Sequence, residues 1–243
     1  MFGYDEVFDG VRFAFTDRFG GASRPPYGEL NLGSAQGDEA DAIAENFRRL
    51  GAAFGVAADG VVRVSQVHGN DVHVLRPGDE LPVRPMPRAD ALVTTRTDVA
   101  LCVRAADCLP VLLADQANGV IGAAHSGRRG LYAGVVPATV EAMWALGAER
   151  ITAVLGPYAC GNCYEVPEEM RAEVAERVPA AYAETSWGTP SIDVAAGVAA
   201  QLAELYCAVV DATSCTIESE NFYSYRREGP VSGRMAGLVR LVA

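Results

Sequence analysis

Apolar stretches in the middle of the chain predict a sheet that is buried on both faces. Four of them follow one another between residues 91 and 125: ALVTT, VALCVRA, PVLLAD and GVIGAAH. They are apolar throughout instead of alternating with polar residues, which is typical of strands covered on both sides. The same pattern predicts further strands at residues 11–16, 61–65, 72–75, 151–155, 222–225 and 236–242.

Apolar residues three or four positions apart predict a helix in the first quarter of the chain, with Asp38 as its cap. This spacing places four side chains on one face of that helix: Ile43, Phe47, Leu50 and Phe54. Three later helices are predicted over residues 129–146, from Pro167 onward, and after a cap formed by Asp193.

The segment between residues 76 and 88 is predicted to be a loop, because its four prolines remove donors that a sheet requires. Its length suits a rim or a lid. No linker, repeat or low-complexity segment divides the chain. Strands and helices mix without strict alternation, so the pattern favours an α+β fold with mixed β-sheets, formed as a single domain over residues 1–243.

The charge of the chain narrows the classes of partner. The formal net charge is -11, and every basic side chain is an arginine. An acidic protein of this kind is a poor match for nucleic acid or for an anionic membrane. The pairs Arg128-Arg129 and Arg226-Arg227 suit the binding of one small anion, and each pair equally suits a solvated face.

The sequence predicts neither a secretory leader nor a membrane span. The first residues lack a basic segment followed by an apolar one, and no apolar run reaches the roughly 18 residues that a span needs. We therefore expect a cytoplasmic location, where the six cysteines are reduced thiols. The sequence indicates no particular oligomeric state.

Two of the three histidines and one cysteine form the candidate catalytic and metal-binding set. His68 and His125 lie beside small residues at or just after the ends of predicted strands, and Cys108 stands at the entrance to a buried strand. Imidazole and thiolate are usual ligands of zinc, and three protein ligands leave a fourth position for water or substrate. A metal there activates a water or polarises a substrate oxygen.

The same residues permit two other interpretations. Cys108 can act as a nucleophile while a histidine moves protons and Asp107 orients that histidine. Alternatively, Cys108 is a buried thiol that binds no metal. Spacing alone does not decide between them, since the residues lie far apart and fit no compact zinc motif.

The remaining cysteines give weaker signals. Cys160 and Cys163 form a CxxC motif, which is typical of redox chemistry or of half a zinc ribbon. A second CxxC and a thioredoxin-like context are both missing, so we interpret the segment as a glycine-rich turn in a pocket wall. Cys102, Cys207 and Cys215 are expected to be core thiols.

Four motifs surround the candidate residues: Gln66-Val67-His68-Gly69, Ala89-Asp90-Ala91-Leu92-Val93-Thr94, Ala106-Asp107-Cys108-Leu109-Pro110 and Ala124-His125-Ser126-Gly127. They resemble the laccase-domain family, whose members are variously called polyphenol oxidase, purine nucleoside phosphorylase and peptidoglycan editing factor. Others extend the match over essentially the whole chain: Asp17-Arg18-Phe19-Gly20-Gly21, Leu30-Asn31-Leu32-Gly33, Cys163-Tyr164-Glu165-Val166 and Phe222-Tyr223-Ser224-Tyr225-Arg226-Arg227.

The resemblance implies a four-layer α/β/β/α sandwich with His68, Cys108 and His125 as zinc ligands. It also implies phosphorolysis of adenosine, inosine, guanosine and methylthioadenosine, together with deamination of adenosine. The expected partners are therefore purine nucleosides and phosphate. Within such a site we expect Arg18 to contact an anion and Asn31 to be a polar pocket residue.

Three other functions stay open beside this one. The first is a Cys-His hydrolase that edits peptidoglycan precursors by removing a wrong amino acid from a nucleotide-linked muropeptide. The second is a copper-dependent phenol oxidase, which three histidines support poorly because a multicopper centre needs many. The third is a metal-binding module without catalysis. One departure bears on phosphate: many relatives place an arginine directly after the asparagine of the first helix, whereas Phe47 follows Asn46 here.

Overall fold

Two large β-sheets organise the protein within residues 1–33 and 37–242, which the computed structural model describes. The strands in this part of the chain are β1 (Phe2–Phe8), β2 (Val11–Thr16), β3 (Val61–Val62), β4 (Val72–Leu75), β5 (Ala91–Thr94), β6 (Ala100–Ala105), β7 (Leu109–Asp115), β8 (Val120–Ser126), β9 (Thr152–Leu155), β10 (Tyr182–Glu184), β11 (Pro190–Ile192), β12 (Ala208–Asp211) and β13 (Met235–Leu241).

The helices connect the strands and cover the outer faces of the sheets. They are α1 (Ala40–Phe54), α2 (Arg128–Ala133), α3 (Val135–Ala145), α4 (Glu168–Arg177), α5 (Val194–Glu204) and α6 (Tyr225–Glu228). Short 3-10 turns occur at Ala58–Gly60, Pro179–Ala181 and Gly229–Val231. Among the described residues, the helices are all too short or too polar to cross a bilayer.

Both large sheets are mixed. The five-stranded sheet has the order β1-β2-β13-β6-β3, and its only parallel neighbours are β3 and β6. The six-stranded sheet has the order β12-β9-β7-β8-β5-β4, with parallel pairs at its two edges. Strands β10 and β11 form a separate antiparallel pair. The predicted fold class of helices with mixed sheets in a single domain is therefore confirmed.

Three apolar clusters separate the layers. Phe47, Leu50 and Phe54 of α1 pack with Leu238 of β13 on one face of the five-stranded sheet. A second cluster joins residues of both large sheets. A third places side chains of α3 and α5 against the other face of the six-stranded sheet. This order of clusters favours the four-layer arrangement that the resemblance implies.

Most of the central elements follow the hydrophobic pattern. The four apolar stretches in the middle of the chain are β5 to β8, and the predicted strand at residues 11–16 is β2. Asp193 caps α5, because its carboxylate accepts the backbone N–H of Ala196. These predictions are confirmed.

Several boundaries were predicted wrongly. The helix expected over residues 129–146 is split by Gly134, whose φ of +80° ends α2 and precedes α3. Residues 222–225 do not form a strand, because Ser224 caps α6 through its hydroxyl and Tyr225 is already the first residue of that helix. Strands β1, β10, β11 and β12 were not anticipated, because they are short or lie at exposed edges.

Asp38 does not cap α1 as predicted. Glu39 occupies that position, without a side-chain hydrogen bond to the helix. The Asp38 carboxylate instead accepts a hydrogen bond of 2.9 Å from the Asn31 amide. The reason is physical: Asn31 is fully buried, and a buried amide needs partners more than an exposed helix end does.

Asp115 joins the end of β7 to the segment before β9. Its buried carboxylate accepts the backbone N–H groups of Glu149 at 2.6 Å, Arg150 at 2.9 Å and Asn118 at 3.1 Å. Burial raises the pKa of Asp115, but the hydrogen bonds from Glu149, Asn118 and Arg150 outweigh it and lower the pKa to about 2. The ionised carboxylate therefore stabilises the folded state.

We predict that Asp115→Asn destabilises the protein in a pH-dependent way. Because the pKa of Asp115 lies below its ordinary 3.8, the ionised carboxylate stabilises the folded state above about pH 4. This stabilisation is lost as the pH falls toward 2. At 1.36 kcal/mol per pKa unit, the lowered pKa contributes roughly 2 kcal/mol to the free energy of unfolding at pH 7, and the variant loses this contribution. Urea unfolding at pH 7 and pH 3 measures it, with the exposed Asp59→Asn as control. A loss of stability that is equal at both pH values contradicts the assignment.

Candidate metal centre

The sheet register brings three chemically active side chains to one end of the six-stranded sheet. Strands β7 and β8 are antiparallel with Pro110 opposite His125, so Cys108, just before β7, lies beside the end of β8. Strand β4 runs parallel to β5, which places the preceding turn with His68 at the same end. Three segments remote in sequence thus converge through strand pairing alone.

The candidate ligand atoms of His68, Cys108 and His125 all lie within 4.8 Å of one another. Cys108 Sγ is 3.8 Å from His68 Nε2. The two imidazole rings meet edge to face with centroids 4.9 Å apart. His68 is exposed, Cys108 is half-buried and His125 is buried, so the group opens toward solvent on the His68 side.

Asp90 positions both histidines. Its fully buried carboxylate lies 2.9 Å from His125 Nδ1, which leaves Nε2 of that ring for a ligand. It also accepts the backbone N–H groups of Val67 at 3.1 Å, His68 at 2.9 Å and Gly69 at 2.7 Å. Burial raises the pKa of Asp90, but these hydrogen bonds outweigh it and hold the pKa below its usual range.

The thiol and the buried imidazole influence each other. Burial raises the pKa of Cys108, but the charge of His125 and hydrogen bonds from His125 and His68 outweigh it and lower the pKa to about 6. Burial lowers the pKa of His125, and attraction to Cys108 together with the Asp90 hydrogen bond raises it to about 9. The lowered pKa favours the thiolate form of Cys108, which is the form that binds metals.

Gly127 leaves the space that this group needs. A Cβ atom at residue 127 would lie 2.6 Å from Cys108 Sγ and 3.5 Å from His68 Cδ2. Two nitrogens and one sulfur, at mutual distances that a single ion can span, match the donor set of a zinc site with one open position. The residues present therefore fit a metal ion.

A cavity of about 520 Å³ opens over the group. His68, Cys108 and His125 lie in its wall together with Gln66 and Asp107. Four arginines also line it: Arg104, Arg128, Arg226 and Arg234. Met86, from the proline-rich segment, and the half-exposed Tyr225 complete part of the rim. The cavity thus combines a metal-ligating wall with several guanidinium groups, as an anionic substrate requires.

Asp107 does not orient a histidine, contrary to one hypothesis. One of its carboxylate oxygens accepts the Thr216 hydroxyl at 2.7 Å, and the other accepts the Arg226 backbone N–H at 2.7 Å. Its φ of +82° turns the chain just before Cys108. Asp107 therefore anchors the segment that leads into α6, while Asp90 holds His125.

The two predicted substrate contacts lie outside the cavity wall. The Arg18 guanidinium forms an ion pair of 2.6 Å with Glu228 and stacks on Tyr223. Asn31 Oδ1 accepts the backbone N–H groups of Gly33 at 2.8 Å and Arg234 at 2.9 Å, and both of those residues line the cavity. A direct role of either side chain in substrate binding stays a prediction.

The sequence pattern assigned no function to Asp90, Arg104 or Arg234. It indicated Arg128 and Arg226 only as members of arginine pairs that suit a small anion or a solvated face. An aspartate at the start of an entirely apolar strand is itself a signal, since a buried carboxylate must have several partners. Phe47, which stands where many relatives have an arginine, packs in the core under α1 and does not line the cavity. The position therefore does not supply a guanidinium to this site.

Comparison with known proteins agrees with the motifs. The family described as "Multi-copper polyphenol oxidoreductase laccase" matches residues 12–242. A Streptomyces coelicolor protein named purine nucleoside phosphorylase is 54% identical over 248 residues, which cover 99% of this chain and 100% of that protein. A Corynebacterium glutamicum protein of the same name is 44% identical over 95% of this chain and 94% of its own length.

Solved structures share the fold. A crystal structure of a Neisseria meningitidis protein superposes with a TM-score of 0.86 at 32% identity, covering 100% of this chain and 99% of the other. YlmD from Geobacillus stearothermophilus gives a TM-score of 0.84 at 26% identity, covering 96% of this chain and 93% of that one. Because the family match spans almost the entire chain, this protein belongs to the family described as multi-copper polyphenol oxidoreductase laccase.

Proposed function

We propose that the protein is a zinc-dependent purine nucleoside phosphorylase that also deaminates adenosine. The observation that supports this most is the convergence of His68, Cys108 and His125 in the wall of an arginine-lined cavity of about 520 Å³. A cavity of this size is typical of small-molecule sites. The relatives named purine nucleoside phosphorylase supply the substrate class, which is purine nucleosides with phosphate. Within that class, the family resemblance of the motifs leads us to propose adenosine, inosine, guanosine and methylthioadenosine.

The proposed metal is one zinc ion held by His68, Cys108 and His125. Two imidazoles and one thiolate leave one coordination position open, which is typical of catalytic zinc sites. When bound, such an ion orients an oxygen nucleophile and polarises the group that reacts. The protein contributes the geometry: Asp90 fixes the ring of His125 and the backbone of His68, and Gly127 keeps the space beside the sulfur free.

Arg128 is the residue that we propose to hold phosphate. Arg226 and Arg234 each donate from the guanidinium to backbone carbonyls, of Glu165 and Ser232 respectively. The Arg128 side chain lines the cavity and forms no hydrogen bond or ion pair within the described part of the chain. Because it lacks such a partner, its guanidinium is available to bind an anion. Arg128 also follows His125 by only three residues, which favours a position near the metal ligands.

A Cys-His hydrolase is the second candidate function, and one observation favours it. Without metal, the lowered pKa of Cys108 and the raised pKa of His125 describe a thiolate beside an imidazolium, as in cysteine nucleophiles. Such an enzyme would act on peptidoglycan precursors and be active without metal. A copper-dependent phenol oxidase has less support, because the chain holds three histidines in all.

The decisive assay for the proposed function is turnover of inosine or adenosine with phosphate. We expect ribose 1-phosphate and free base from the zinc-loaded wild type, and inosine from adenosine when phosphate is omitted. Cys108→Ala is expected to lose at least 10²-fold in rate and one zinc per chain, because a thiolate ligand is removed. Cys207→Ala, a thiol outside the cavity, is the control. No turnover by zinc-loaded wild type rejects the phosphorylase, and amidase activity in metal-free protein supports the hydrolase.

We predict that Asp90→Asn weakens zinc binding by about 10- to 100-fold, as loss of a residue that orients a metal ligand does. Asparagine keeps only one of the two acceptor oxygens. It therefore cannot accept both the His68 N–H, which is bound to Oδ1, and the Gly69 N–H, which is bound to Oδ2, so the anchor shared by the two histidines is weakened. Competition with a chelator of known affinity measures the change. Asp71→Asn is the matched control, since its side chain is exposed and it is the backbone carbonyl of Asp71 that bonds to Ala91. Equal affinities in both variants contradict this role of Asp90.

Arg128→Ala is expected to raise KM for phosphate by roughly 10- to 100-fold, which corresponds to the 1.5–3 kcal/mol of a hydrogen bond to a charged group. KM for the nucleoside should change much less. Arg129→Ala provides the comparison, because Arg129 is adjacent and exposed but does not line the cavity. Initial rates at varied phosphate separate the two variants. A similar KM for phosphate in both would remove Arg128 from the site.

A further inference from the structure

A second group of metal-ligating side chains lies in the described part of the protein, apart from the cavity. It consists of Cys160, Cys163, Cys215 and Glu218, whose ligand atoms all lie within 4.8 Å of one another. None of the four lines the cavity. Cys207 and Cys215 are both partly exposed, so the prediction that they are core thiols is wrong, whereas Cys102 is buried as predicted. The CxxC motif is therefore completed by residues that its spacing does not reveal.

Backbone hydrogen bonds bring these side chains together without any metal. The N–H groups of Cys163 and Tyr164 both donate to the Cys160 carbonyl at 2.9 Å, which closes the CxxC turn. Tyr158 N–H donates to Ser214 at 3.0 Å, and Thr216 N–H donates back to Tyr158 at 2.9 Å. This bridge places Cys215 beside the CxxC turn.

Glu218 joins the group through a second turn. The backbone N–H of Ser219 donates to the Cys215 carbonyl at 3.1 Å, so the residues between them fold back toward the cysteines. Glu218 remains exposed, and its carboxylate needs no partner for burial. Its position among three sulfurs therefore has no explanation in packing.

We propose that Cys160, Cys163, Cys215 and Glu218 bind a structural zinc ion. Three thiolates and one carboxylate fill all four positions of a tetrahedral site, which is typical of structural zinc. Zn–S bonds of about 2.3 Å place neighbouring sulfurs about 3.8 Å apart. The observed spread of at most 4.8 Å thus requires a contraction of about 1 Å or less on binding.

A disulfide accounts for less of this arrangement. It would join two of the three sulfurs and leave the third thiol and Glu218 without a role. Zinc uses all four groups, and in a reducing compartment a zinc–thiolate site is the more common use of a CxxC motif. The donor set also differs from that of the cavity. The cavity offers two imidazoles and one thiolate and leaves one position open for catalysis, whereas this group supplies four ligands.

The proposed ion would join a loop of the cavity wall to a second loop that supports Asp107 from behind. The loop with Cys160 and Cys163 also carries Ala159 and Tyr164, which line the cavity. The loop with Cys215 continues to Thr216, whose hydroxyl binds Asp107, next to Cys108 in sequence. Metal at the second site therefore stabilises the wall without touching a substrate.

Zinc content measured after reconstitution with excess zinc and removal of free metal tests the proposal. We expect two ions per chain in the wild type and one in Cys215→Ser. Cys108→Ser also keeps one ion, and the double variant keeps none. Cys207→Ser retains both, since that thiol belongs to neither group. With Co²⁺ in place of zinc, Cys215→Ser should lose most of the sulfur-to-cobalt charge-transfer absorption, because this site holds three thiolates and the other only one.

A second variant tests the proposal even if Cys215→Ser does not fold. Glu218→Gln removes the exposed carboxylate and should weaken binding at the second site about 10-fold or more, while Glu220→Gln, an exposed neighbour, should not. One zinc per wild-type chain, with Cys160, Cys163 and Cys215 all reactive as free thiols, overturns the proposal. A disulfide between two of them in the purified wild type overturns it as well. Neither result bears on phosphorolysis, which is assayed separately.

Discussion

The Asp90 carboxylate is the group on which the geometry of the cavity wall depends. It is fully buried and has four partners: the ring of His125 and the backbone N–H groups of Val67, His68 and Gly69. A buried charge with fewer partners would be costly. His68 has a φ of +62°, a conformation that costs a non-glycine residue about 1–3 kcal/mol and persists only where its surroundings impose it. One carboxylate therefore stabilises a strained turn and orients a second histidine.

The position of Asp90 follows from the sheet. It immediately precedes β5, whose neighbours are β4 and β8, so it lies between the turn that carries His68 and the strand that ends near His125. Cys108 enters from β7, the next strand along. The site therefore lies at one end of four neighbouring strands of the six-stranded sheet, and it forms only when these strands are paired in register. This dependence explains why its three ligands show no compact spacing in the sequence.

The parts of the molecule that the sequence predicts are those with strong local signals. The apolar runs of β5 to β8 and the cap at Asp193 are local, and so are motifs such as Ala106-Asp107-Cys108-Leu109-Pro110. The parts that it misses depend on partners remote in the chain. Asp107 binds Thr216, which is 109 residues away. Cys215 likewise joins a motif more than 50 residues before it, and no periodicity reports such a contact.

The charged side chains that line the cavity are mainly positive, whereas the net charge of the whole chain is negative. The formal net charge is -11, yet four arginines line the cavity. Asp107 is the one carboxylate in the lining among residues 1–33 and 37–242, and it accepts hydrogen bonds from the Thr216 hydroxyl and the Arg226 backbone N–H. An acidic surface disfavours long polyanions, whereas a small anion that enters the cavity experiences mainly the nearby guanidinium groups. Burial lowers the pKa of Arg234 and Arg104, which is the cost of keeping cations out of water. That cost is offset when an anion binds, so the lining suits a small anion better than it suits a neutral ligand.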